Sequence, residues 1–157
     1  MAISSTDRVR QAAAEAGLTI EISEMPSSTR TAEDAANACG CSVSEICKSL
    51  VFLGKSSGEI VLLLVSGSNR VDEAAVAQRI GEELGRADGR TVRERTGFAI
   101  GGVAPIGHLA PVKVYLDEDL TRFEGIWAAA GAPNAVFATT ASDLLKATGA
   151  TVIRMTA

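Results

Sequence analysis

Residues 46–54 read ICKSLVFLG, and after the short turn KSSG the chain continues over residues 59–67 as EIVLLLVSG. Two apolar runs around a Gly/Ser turn predict a β-hairpin. Both runs are apolar at odd and even positions alike, so both faces of the hairpin are expected to be covered, which places it centrally in a sheet. One residue breaks the pattern. Lys48 stands where the first strand begins and shares a face with Leu50 and Phe52, because side chains alternate along a strand. A cation there has two readings. It is a charged flank that discourages aggregation of an apolar strand, or it is an ammonium aimed at a ligand, with its stem laid along apolar surface.

Working outward, residues 4–17 (SSTDRVRQAAAEAG) predict a capped helix that ends near Ala16, and LTIEIS at 18–23 alternates like a strand. TAEDAANACG opens with Thr31 three residues before Asp34 and closes on Gly40, the signature of a second helix, with one more helical turn in SVSEI. VDEAAVAQRIG and TVRERTG predict two further helices, the latter closed by Gly97. VKVYLD, GIWAAAG, AVFAT and TVIRM read as strands, and TASDLLKATG as a helix with Thr140 as its N-cap. Roughly seven strands and five or six helices, several strands hairpin-linked, predict a mixed α/β (α+β) fold with a mostly antiparallel or mixed sheet. No linker or repeat interrupts residues 1–157, so one domain is expected.

Composition narrows the function. The apolar fraction is 46% and the charged fraction 22%, values usual for a globular chain. The longest apolar run is too short to span a bilayer, and the N-terminus lacks a secretory apolar stretch, so a cytoplasmic protein without membrane contact is expected. A net charge of −4 argues against coating nucleic acid by bulk charge, and no DNA partner is expected. Cys39, Cys41 and Cys47 with a single histidine make a poor zinc set, so no metal or cofactor is expected.

The second place for chemistry is GFAIGGVAPIGHLAP, residues 97–111. Paired Gly101 and Gly102 let a backbone approach a ligand closely and present N–H groups to a phosphate or an oxyanion. A tight bend in a small barrel would use glycine as well. His108 has a pKa suited to acid/base work, yet no G-x-S-x-G accompanies it. The turn at Gly131–Ala132–Pro133 reads by itself as a hairpin corner.

Taken in order, TRTAEDAA, ICKSLVFL, VSGSNRVD, TGFAIGGVAPIGH, VYLDEDL and AAGAPNAVFATTASDLLKATGA resemble the YbaK/EbsC family, whose fold is shared with the editing domain inserted in bacterial prolyl-tRNA synthetases. The similarity runs from about Thr31 to Ala150. The resemblance implies a partly closed barrel surrounded by helices, and hydrolysis of the ester between a wrong amino acid and tRNA, in trans for stand-alone members. It implies Lys48, Gly101 and Gly102 as catalytic residues. Ser49, Val103, Pro105, Gly107, His108, Arg70 and Ala132 are implied as substrate-binding, Ala132 standing where some relatives carry a histidine. Arg30, Lys55 and Arg70 are candidates to rim the pocket. The implied partner is the acceptor end of an aminoacyl-tRNA, with a synthetase or elongation factor supplying further affinity. Two rival functions remain open from the residues alone: a non-catalytic small-ligand or nucleotide-binding module, and a cysteine-dependent redox or transfer enzyme.

Overall fold

A computed structural model describes residues 4–157 of the chain. Its elements in order are α1 (Ser5–Glu15), β1 (Ile22–Glu24), α2 (Ala32–Cys39), β2 (Ile46–Gly54), β3 (Ile60–Ser66), α3 (Glu73–Ile80), β4 (Leu84–Arg86), α4 (Gly89–Thr96), β5 (Lys113–Asp117), β6 (Ile126–Ala129), β7 (Ala135–Thr139), α5 (Ala141–Thr148) and β8 (Thr151–Ile153), with 3-10 turns at Val43–Glu45 and Glu118–Arg122. The helices start where small polar side chains accept from the backbone two or three residues into the helix: Thr31 from Asp34, Asp72 from Ala75, Asp88 from Thr91 and Thr140 from Asp143. Each of those four ends on a glycine in the left-handed region.

The strands form one mixed sheet in the order β1-β7-β6-β2-β3-β5-β8, with β4 also paired to β2. The β2–β3 hairpin is central, as its two-sided apolar pattern requires, and its register sets Lys48 opposite Val65 and Leu50 opposite Leu63. The neighbours β2–β6, β3–β5 and β5–β8 are parallel; the remaining pairs are antiparallel. The sheet remains open, so the barrel is only partly closed.

Two apolar clusters sandwich the hairpin. On one face Cys47, Leu62 and Leu64 pack with Val9, Phe98, Val103, Leu116 and Phe137. On the other, Val61, Leu63 and Val65 pack with Val76 of α3 and Met155, and Leu50 and Phe52 join them. Every residue of β3 is buried, whereas Lys48–Leu53 of β2 are only half-buried.

Three local expectations shift. The strand expected at 18–23 pairs only from Ile22, since continuing its register would set Leu18 and Thr19 opposite Ala141 and Thr140, where the chain has already turned into α5. LGR at 84–86 is a strand that its composition hides, because Gly85 lowers strand propensity. The last strand stops at Ile153 rather than running to Met155, whose main-chain oxygen instead accepts from the Asp72 N–H at the start of α3.

Candidate functional site

The sheet has a gap beside β2. Its outer edge pairs with β6 only at Ile46 and Cys47, and with β4 only from Phe52 to Gly54. Even-numbered residues of β2 turn their main-chain groups toward β3, as the bonds from Gly54 to Glu59 and from Gly67 to Ile46 show, while Lys55 donates outward to Glu83. The N–H and C=O of Ser49 therefore face the gap. A cavity of about 370 Å³ lies against it, in the size range of small-molecule sites. Six consecutive residues, Ile46 to Val51, line this cavity, and only a cavity lying edge-on to a strand meets odd and even positions together. Ala35, Val92, Val103, Trp127 and Val136 supply apolar wall. The Ser49 hydroxyl is buried there and has no hydrogen-bond partner among the described residues.

Lys48 is half-buried on the wall, and its Nζ donates to the main-chain oxygen of Asn69 at 2.8 Å. Burial pulls its pKa below the ordinary lysine value; Glu33 and Asp117 oppose that shift and Arg70 adds to it. Arg70 is thus brought into the field of Lys48 from the turn after β3. Arg30 lines the same cavity from the loop before α2, and its stem lies beside Gly101. Lys55 is elsewhere, at the far end of β2, 3.8 Å from Glu83.

The glycine-rich loop is built by two constraints. Gly101 has φ +90, a conformation that side chains resist. A Cβ on Gly102 would meet the backbone of Ala132 at 3.1–3.4 Å, so the loop and the Gly131–Pro133 turn touch through main chain. The N–H of Gly102 is bonded to Ala99 O at 3.0 Å. Of the loop residues singled out from sequence, Gly101 and Val103 line the cavity with Lys48 and Ser49. Gly102, Pro105, Gly107, His108, Ala132 and Arg70 lie outside the lining set. That turn is fixed in turn by Thr29, whose N–H and hydroxyl both donate to Pro133 O at 2.7 and 3.1 Å.

His108 sits 5.1 Å from Phe98, ring centroid to centroid, in an edge-on contact. Its Nε2 is 2.7 Å from Ala104 O, and since a carbonyl can only accept, Nε2 carries the proton. Burial is the main cause that lowers its pKa to about 4; the bond to Ala104 opposes this and Arg8 assists it. His108 is a neutral loop-packing group in this geometry. Cys47 lines the cavity, but burial, with the nearby Asp117 charge, pushes its thiol up to about 12, so it holds its proton at neutral pH and makes a poor nucleophile. Cys39 and Cys41 are free thiols, likewise shifted upward by burial.

Sequence reasoning missed Asn69, Glu33 and Trp127. A main-chain oxygen such as that of Asn69 leaves no mark in sequence, and Trp127 sits in a strand where an aromatic is ordinary core material.

Comparison with known proteins adds an independent line. The aminoacyl-tRNA editing domain family matches residues 26–147. The uncharacterized protein YwhH of Bacillus subtilis (strain 168) is 34% identical over 124 residues, covering 79% of this chain and 78% of that protein. A proline–tRNA ligase of Limosilactobacillus fermentum (strain NBRC 3956 / LMG 18251) is 36% identical over 94 residues, which is 57% of this chain and 16% of the ligase. A solved structure described as a candidate trans-editing enzyme for prolyl tRNA synthetase is 46% identical, with a TM-score of 0.90, and the match covers 99% of this chain and 98% of that one. The chain belongs to the aminoacyl-tRNA editing domain family.

Proposed function

We propose that the chain is a trans-editing deacylase that hydrolyses the ester joining a wrongly attached amino acid to the 3′ end of a tRNA. The observation that carries the reading is Lys48: a half-buried ammonium on the wall of an apolar cavity whose other polar offerings, the main chain and hydroxyl of Ser49, have no partner across the gap among the described residues. The cavity takes the aminoacyl group. The ammonium takes the terminal phosphate or the developing oxyanion, for which a compact point charge is suited. Arg30 and Arg70 add positive charge for an acceptor end that carries phosphates.

The site contains no strong nucleophile, and the reaction needs none. Water adds to the ester carbonyl, giving a tetrahedral oxyanion. The bond to the ribose oxygen then breaks, and that oxygen leaves with the proton that the water gave up, passed through a second water or the neighbouring ribose hydroxyl. Free amino acid and uncharged tRNA result. Orientation and oxyanion stabilisation supply the rate.

A panel of mischarged tRNAs tests this, beginning with tRNA(Pro), since one similar structure is described as serving prolyl tRNA synthetase. Single-turnover release of amino acid from at least one member is expected. Binding of the acceptor end without release from any member would assign the site to a non-catalytic module instead.

A further inference from the structure

The turn that receives the Lys48 ammonium is itself held by a buried carboxylate 48 residues further along the chain from Asn69. Asp117, at the end of β5, is 1% exposed. Its Oδ1 accepts from the N–H of Asp119 at 2.9 Å and so caps the 3-10 turn that follows. A carboxylate needed only as a cap would finish there. Its Oδ2 is turned the other way and accepts two bonds from the 66–69 turn: the N–H of Ser66 at 3.0 Å and the Asn69 Nδ2 at 2.9 Å. The second hydrogen of the Asn69 amide goes to Asp119 Oδ2 at 2.7 Å, so the Asn69 side chain has no rotational freedom left.

The rest of the turn is equally fixed. Gly67 donates to Ile46 O at 2.7 Å, Asn69 N–H to Ser66 O at 2.9 Å, and the Ser66 hydroxyl to Ser44 O at 2.6 Å. A side chain on Gly67 would run into the main-chain oxygen of Val43. All of this holds one acceptor in place, the carbonyl of Asn69 on which the Lys48 ammonium rests. Lysine has four rotatable stem bonds and a head that prefers water. A single fixed acceptor, itself anchored to a buried charge, removes that freedom before substrate arrives.

We propose that Asp117 is a positioning residue, which fixes the Lys48 ammonium at the cavity through the Asn69 turn. Asp117 is not among the residues that line the cavity, and the inference rests on the deacylase reading only for its kinetic consequence.

Two variants test it, with two independent readouts. Asn69→Ala removes the anchor while leaving Asp117 its bonds to Ser66 and Asp119. Asp117→Asn keeps the shape and sets an amide against donors that require oxygen. The first readout is the 1H–15N correlation of the Lys48 ζ-ammonium, visible when a hydrogen bond slows its exchange. It is expected in the wild-type chain and lost in both variants, while backbone amide correlations away from the 44–48, 66–70 and 117–119 segments stay unmoved. The second is single-turnover deacylation, expected to fall about tenfold in Asn69→Ala and further in Asp117→Asn. An unchanged Lys48 correlation in Asn69→Ala overturns the proposal, whatever the rate does. A lost correlation with a wild-type rate upholds the positioning of Lys48 and removes Lys48 from the deacylation chemistry, so the two claims fail separately.

Discussion

Arg8 reaches across 89 positions of sequence to donate from Nη2 to the main-chain oxygen of Gly97 at 2.8 Å, while its Nε donates to that of Gly107 at 3.2 Å. Its guanidinium also lies 4.8 Å from the Phe98 ring centroid. One side chain of α1 thus pins both ends of the glycine-rich loop. Arg8→Met keeps the apolar stem and removes every donor. The expected loss is about 1–3 kcal/mol, since hydrogen bonds from a charged donor contribute more than neutral ones and this site is partly solvated. For a chain of this size that corresponds to a fall in Tm of roughly 3–10 °C. Arg8→Lys should recover part of it, because an ammonium cannot fork to two carbonyls. A Tm within 1 °C of wild type in Arg8→Met would show that the staple contributes nothing.

The two adjacent glycines should fail for different reasons. Gly101→Ala forces a side chain into φ +90, at a cost of about 1–2 kcal/mol, and leaves the neighbouring turn alone. Gly102→Val instead pushes on the backbone of Ala132, which cannot yield as a flexible side chain would. Its displacement travels to Thr29 through that residue's two bonds to Pro133 O, and so to Arg30, the next residue in the chain. Deacylation should drop at least tenfold in Gly102→Val while the protein stays folded by circular dichroism. Wild-type turnover in that folded variant would remove the loop from the site.

His108 predicts a pH signature. Its folded pKa is about 4 against 6.5 for the free group, so the neutral form is the one the fold favours. The stability this contributes is complete above pH 6.5 and is lost as the pH falls from 6.5 through 4, where the unfolded chain takes up a proton that the folded chain refuses. The magnitude is of order 3 kcal/mol. Urea midpoints for wild type and His108→Phe should converge or cross over that interval, with the variant declining less. Parallel curves from pH 7 to 4 would contradict the buried, neutral histidine. Deacylation at neutral pH should change less in His108→Ala than in Gly102→Val; a loss beyond about a thousandfold would make His108 the general base.

How much of this was legible in the sequence follows from the range of each interaction. The hairpin was legible because its signal is local: two continuous apolar runs and a short turn. The helix limits were legible at Thr31, Thr140, Gly40 and Gly97, where one residue's chemistry fixes a cap. The three parallel pairings were not, because β6, β5 and β8 find their partners through non-local packing that no local pattern encodes. Lys48 announced itself as a charge in an apolar run. Its partner did not, since Asn69 contributes a carbonyl that every residue possesses. The gap at Ser49 was hidden for a related reason: a strand that lacks a neighbour over four residues has the same composition as one that is fully paired. The expectation that β2 would be covered on both faces shifts to half-burial over Lys48–Leu53, of which Lys48–Val51 border that gap.

Lys48 provides the most direct measurement. Replace it with Ala and, separately, with Arg, and follow single-turnover deacylation of a mischarged tRNA beside thermal unfolding. An ammonium that meets the phosphate or oxyanion predicts a loss of roughly a hundredfold or more in Lys48→Ala, the scale of removing one oxyanion donor. Its Tm should hold level or rise, because a partly desolvated charge has gone. Lys48→Arg should be impaired too, since a broad planar guanidinium does not replace a compact ammonium between the cavity wall and the Asn69 carbonyl. Wild-type deacylation in a folded Lys48→Ala protein would contradict the central claim and leave Lys48 as nothing more than a charged residue at the start of an apolar strand.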